Sequence, residues 1–153
     1  MSLDHLGHAT APSSPVLATV SMDGELDDAA AARLLRWCEA RLHLHDGGQA
    51  VIDHLLIDLG HVRQVRLSAL TILDHARTEA ERRHVGIHLI GVGPIMAGSQ
   101  AQVRHRLGRW RSFPTLDVAR AALEPIGEGR RPTPRPVDPD AIVLKTTIHD
   151  RLR

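Results

Sequence analysis

The chain has 153 residues, a length that suits one domain with tails and a core that needs no disulfide. Hydrophobic residues make up 42%, so a globular fold is expected; the lone cysteine, Cys38, closes no internal bridge and fits a reducing compartment. No secretory leader pattern opens the sequence and no apolar run is long enough for a bilayer, so a cytoplasmic protein without membrane insertion is expected.

The formal net charge is +1, but it is unevenly distributed. Residues 1–103 carry 8 basic and 12 acidic residues, and residues 104–153 carry 11 basic and 6 acidic ones. Such asymmetry fits either an acidic-partner or nucleic-acid surface, or simply a solvated helix and tail. Tyr is absent and Phe113 is the single Phe, which argues against single-strand binders that stack bases on aromatic platforms.

Residues 1–14 are polar and Ser/Ala/Pro-containing, and read as a flexible N-terminus. From Val16 the chain alternates, with Val16, Ala18, Val20 and Met22 on one face of an expected strand that Asp23-Gly24 breaks. Asp27 or Asp28 then caps a helix whose core face is Leu34, Trp37/Cys38 and Leu42, with Arg33, Arg36 and Arg41 toward solvent and Asp46-Gly47-Gly48 at its end. Leu55-Leu56-Ile57 and Leu59 form a compact apolar run of the kind a strand buried on both faces needs. A helix follows on Leu70, Leu73, Ala76 and Ala80, then a strand from Ile87 to Val92 closed by Gly93-Pro94. A third helix uses Met96, Val103 and Leu107, and Phe113-Pro114 is a short extended piece. Thr115 caps a last short helix on Leu116, Ala119 and Leu123.

This alternation predicts an α/β fold, a mostly parallel central sheet of about four strands with helices packed on it, over residues 15–123. Residues 124–153 form a Pro/Gly-rich tail, in which residues 142–148 are β-prone and suited to an edge strand or to docking on a partner.

Three stretches carry a family resemblance. Gly24-Glu25-Leu26-Asp27 after the first strand, Asp58-Leu59-Gly60-His61-Val62 at the end of the central strand, and Val65-Arg66-Leu67-Ser68-Ala69-Leu70 beyond it resemble, in order and spacing, the STAS domain of bacterial anti-sigma-factor antagonists. The resemblance covers about residues 16–123. It implies a non-catalytic regulatory module in a partner-switching system. The implied partner is an anti-sigma factor or serine kinase of the GHKL ATPase type, with homodimer formation open and no cofactor. Gly24 and Asp27 have a structural reading as well: Gly24 permits a tight reversal and Asp27 accepts helix N–H groups.

The third stretch departs from the family pattern. In such antagonists a serine before the second helix is the phosphoacceptor, where a phosphate meets the positive end of the helix and expels the partner. Aligned on Leu70, Arg66 stands where Asp is usual, Leu67 where the modified Ser is usual, Ser68 on a second serine, and Ala69 in place of Gly. Arg66, Leu67, Ser68 and Ala69 are therefore the expected partner-binding residues, with the ordinary phosphoswitch altered or absent. Ser68 either caps the helix or, after a one-residue shift of the loop, accepts phosphate beside Arg66. Arg66 reverses the local charge and asks for acidic groups on a partner, and Leu67 supplies an apolar anchor if it is not core.

Other functions have weaker signals. A STAS scaffold that binds a small ligand or a transport assembly is one alternative. A nucleic-acid accessory protein using the basic run Arg104–Arg111 is another, although nucleic acid is not the expected partner. The eleven histidines form no zinc signature and read as surface or rim residues. Ser68 and Asp58 lack a nucleophile elbow, Cys38 lies on an apolar helix face, and Gly91-Val92-Gly93 lacks the rest of a dinucleotide loop, so catalytic residues and metal ligands are both expected to be none.

Overall fold

A computed structural model describes residues 14–124 and, as a paired backbone strand, 144–148. The expected flexible N-terminus and most of the Pro/Gly-rich tail lie outside the described residues. In chain order the elements are β1 (Leu17–Leu26), α1 (Asp28–Asp46), β2 (His54–Val65), α2 (Leu67–Arg82), β3 (Gly86–Ile90), α3 (Gly93–Gly98), α4 (Ala101–Gly108), β4 (Ser112–Phe113), α5 (Leu116–Leu123) and β5 (Leu144–Ile148). The strands form a five-stranded sheet in the order β4-β3-β2-β1-β5, and every pairing is parallel. The expected α/β architecture is therefore present, with β5 added at the β1 edge.

Strand parity explains the layers. Leu55, Ile57 and Leu59 of β2 and Ile87 and Leu89 of β3 join one large core. The same core takes Leu34, Trp37, Cys38 and Leu42 from α1 and Leu70, Leu73, Ala76 and Ala80 from α2. The alternate residues Leu56 and Ile90 face the other way and meet Phe113, Ala119 and Leu123 in a smaller cluster under α5. A strand between two layers must be apolar at consecutive positions, which is why β2 reads Leu-Leu-Ile rather than alternating.

Both central strands run further than their apolar stretches. β1 does not stop at Asp23-Gly24: it continues to Leu26, with register shifts against β2 on either side of Gly24. Gly24 has φ +85, a left-handed conformation that glycine adopts without strain, so the chain absorbs a bulge there and stays paired. β2 likewise continues to Val65 although its last residues are largely polar and exposed, because pairing with β1 satisfies their backbone groups.

The single helix expected on Met96, Val103 and Leu107 is two helices. Ser99 and Gln100 are extended, and the Ser99 hydroxyl donates to the Ile95 carbonyl at 2.6 Å, ending α3. The break lets Ile95 and Val103 both reach the large core. On α1, Arg36 is exposed, but Arg33 and Arg41 are half-buried, with the Arg41 guanidinium over the Trp37 ring at 5.5 Å.

Leu34 is fully buried, so Leu34→Ala is expected to lower stability by about 2–5 kcal/mol. Val51 is 66% exposed, and Val51→Ala should change stability by less than ~0.5 kcal/mol. Urea unfolding of both variants checks the assignment of core and surface.

Candidate functional site

The parallel β1–β2 pairing brings the first and third of the resembling stretches together, since Glu25 lies opposite Gln64 and Leu26 opposite Val65. The next residue, Arg66, donates its backbone N–H to the Leu26 carbonyl at 3.0 Å. The N-termini of α1 and α2 therefore start side by side at the C-terminal end of the sheet.

Asp27 caps α1: its Oδ1 accepts the Ala30 N–H at 2.8 Å. α2 is built differently. Its N-cap position is Arg66, in extended conformation, and no side chain caps the helix. Ser68 lies one residue inside the first turn, so it is not the cap that the sequence suggested. Its hydroxyl instead donates to Oδ1 of Asp28 across the site. Arg66 is exposed and its Nε donates to Oε1 of Glu25 at 2.8 Å. That bond, with the nearby carboxylates of Glu25, Asp27 and Asp28, holds the guanidinium above its ordinary pKa.

Leu67 and Ala69 part company. Leu67 is the first residue of α2 and is 36% exposed, one of four large hydrophobic side chains exposed among the described residues. Ala69 is completely buried in the core, which corrects its expected place on a contact surface: successive helical residues point about 100° apart, and position 69 falls on the inner face. Beside Leu67 is an open groove between α2 and α4, lined by Leu67, Ala101, Gln102, His105 and Arg106. The α4 contribution had no sequence signal, because it depends on how α4 docks. That docking is fixed by Asp74, which accepts from Arg106 at 2.5 Å and pairs with Arg77 at 3.1 Å, while the Arg77 guanidinium lies over Trp110 at 4.9 Å.

The other constellations resolve differently. In the basic run, Arg104 donates to the Ser99 carbonyl at 2.5 Å, Arg106 engages Asp74, and Arg111 lies over Phe113 at 5.1 Å. Each of these three side chains engages a neighbour within the fold. The Cys38 thiol is buried, and burial first, then Glu39, pushes its pKa up to about 12, which keeps it protonated. Asp58 accepts the Gly60 N–H at 2.9 Å while Ser68 is engaged by Asp28, so the two are held to different partners. No three His, Cys, Asp or Glu side chains converge on a metal-sized space among the described residues. The rim reading fails for His88, which is 6% exposed and meets His54 across 3.1 Å. No helix among the described residues is long and apolar enough to cross a membrane.

A family model of the STAS domain matches residues 8–119. A solved structure of a sulfate transporter family protein from Wolinella succinogenes is similar with a TM-score of 0.53 and 18% identity, covering 70% of this chain and 84% of that one. The STAS domain of a SulP transporter from Vibrio cholerae gives 0.48 and 18%, covering 76% and 85%. At such identities the likeness concerns the fold. No curated protein matches the sequence.

Asp27→Ala removes the α1 cap and should cost about 1 kcal/mol, whereas Glu25→Gln, which weakens only an exposed pair, should cost far less. Thermal unfolding of the two variants side by side tests that ranking.

Proposed function

The chain belongs to the STAS domain family, and we propose that it is a regulatory protein-binding module acting in the manner of an anti-sigma-factor antagonist, through the N-terminal end of α2 and without the usual serine phosphoswitch. The observation that carries this reading is Leu67. It stands where the family's modified serine is usual, and it presents an apolar side chain to solvent beside a groove. A large exposed apolar group at the centre of a polar rim is the ordinary anatomy of a protein contact.

The state of Ser68 supports the loss of the switch. Its hydroxyl is bonded to Asp28, and Glu25 already engages Arg66, the cation nearest in sequence. A phosphate at Ser68 would meet the Asp28 carboxylate and find the neighbouring guanidinium occupied, an unfavourable exchange of charge. The partner in this reading is an anti-sigma factor of the GHKL ATPase type. Binding would centre on Leu67, with Arg66 and His105 at the rim and no dependence on the phosphorylation state of the module.

Leu67→Ser should weaken binding to a purified GHKL-type anti-sigma factor at least about tenfold, with the unfolding midpoint nearly unchanged, because the side chain is a surface anchor rather than core. Incubation of the wild-type protein with that kinase and ATP should add no mass of phosphate. Unchanged affinity of the Leu67 variant, or stoichiometric phosphorylation of Ser68, would overturn the reading. Recovery of a membrane transporter subunit as the only stable partner would replace it.

A further inference from the structure

At the opposite end of the sheet, parallel register places His54 of β2 beside Gly86 of β3, two residues before His88. His54 Nδ1 and His88 Nε2 are 3.1 Å apart, with ring centroids 5.2 Å apart. Glycine at position 86 is a requirement of this packing, since a Cβ there would lie 2.3 Å from His54 Nδ1 and 2.8 Å from His88 Nε2. On its other side, His88 meets the Phe113 ring edge-on at 5.6 Å, at the margin of the cluster that α5 covers with Ala119 and Leu123. His88 Nδ1 is buried and has no hydrogen-bond partner among the described residues.

These contacts fix how many protons the pair tolerates. With both rings neutral, His88 Nε2–H donates to His54 Nδ1, and His88 Nδ1 is left as a bare acceptor. The opposite tautomer would bury an unpaired N–H, which is costlier. An added proton has two places to go. On His54 Nδ1 it either sets N–H against N–H or, if the donor role reverses so that His54 donates to His88 Nε2, obliges His88 Nδ1 to carry a buried N–H with no acceptor. On His88 Nδ1 it creates a cation with no acceptor inside an apolar cluster.

We propose that the His54–His88 pair is an acid-sensitive latch, which fastens β4 and α5 over the second face of the sheet when both rings are neutral and releases them when either ring gains a proton. Once charged, His88 must leave its slot to reach water, and it takes the Phe113 contact with it. Release uncovers Leu56 and Ile90, an apolar strip distinct from the Leu67 surface.

The surroundings reinforce the direction. The His88 pKa is lowered to about 4, by burial first and then by His54 and Arg111. The His54 pKa is lowered by burial and by Arg111, against an opposing pull from Asp53. β1 contributes Leu17 opposite His54, and α5 contributes Leu116, Ala119 and Leu123 to the cluster, none of which ionises. In the unfolded chain both rings take protons near 6.5, so the unfolded state binds more protons than the native state between about pH 6.5 and about pH 4. Stability is full above that window and falls as the pH drops through it.

Urea unfolding at pH 7 and pH 5 should show the folding equilibrium constant falling on the order of tenfold or more in the wild type. His88→Phe, which keeps an aromatic ring against Phe113 but cannot titrate, should lose much less over the same interval. NMR titration of the wild-type histidine rings gives a second measurement, independent of whether the variant folds. It should find the two paired rings titrating below the ordinary imidazole value, with hydrogen-exchange protection at Ile90, Phe113 and α5 lost in the same pH range. Native titration of both rings near 6.5, an acid loss undiminished in His88→Phe, or protection at α5 that outlasts ring protonation would each overturn the latch.

Discussion

The parallel pairing of β1 with β2 is the constraint on which the rest of the molecule depends. Parallel strands cannot be joined by a tight turn, so α1 must cross between them and pack on the sheet. The same pairing aligns the C-terminal ends of the two strands. Glu25, Asp27 and Asp28 then stand next to Arg66 and Ser68, which are some 40 residues away along the chain. The polar residues at the ends of both strands are held in extended conformation by this ladder, alongside buried Leu26 and Val62, and the bulge at Gly24 keeps the strands in step.

A second consequence is the unequal treatment of the two sheet faces. One face carries α1, α2 and the α3–α4 pair over a large core, and it includes buried Trp110 and Val103. The other is covered at the described residues by α5 over a small cluster. A thin layer contributes less apolar burial and is the more readily opened part of a domain. Polar groups placed there have a larger say in whether the layer stays closed, and the two imidazoles are at its margin.

The two sites therefore lie at opposite ends of the sheet and use different physics. At the C-terminal ends of the strands, an exposed ion pair, a hydroxyl–carboxylate bond and one exposed apolar side chain lie together, and the individual bonds are weak because water competes for them. At the N-terminal ends, two imidazoles share a poorly solvated space, where the same kind of polar bond is strengthened and an extra charge is hard to accommodate. The first arrangement is open to water as it stands. The second responds to protons because it cannot take one up in place.

Much of this was legible in the sequence, for local reasons. The consecutive apolar residues of Leu55–Ile57, the Asp27 and Thr115 caps and the glycine after Asp46 each specify a local conformation directly, and their order specifies a parallel α/β sheet. The departures from the resembled pattern at Arg66, Leu67 and Ala69 can also be read in the sequence, since the flanking motifs set the comparison. Tertiary structure decided what local pattern cannot encode. It gave Asp28 to Ser68 and Glu25 to Arg66, turned Ala69 inward while leaving Leu67 outside, broke one expected helix into two at Ser99, and joined His54 to His88 through the register of β2 against β3. The division has one physical cause. Propensity and capping act within a few residues, whereas partners in a parallel sheet are set by strand register and by the crossovers that join the strands.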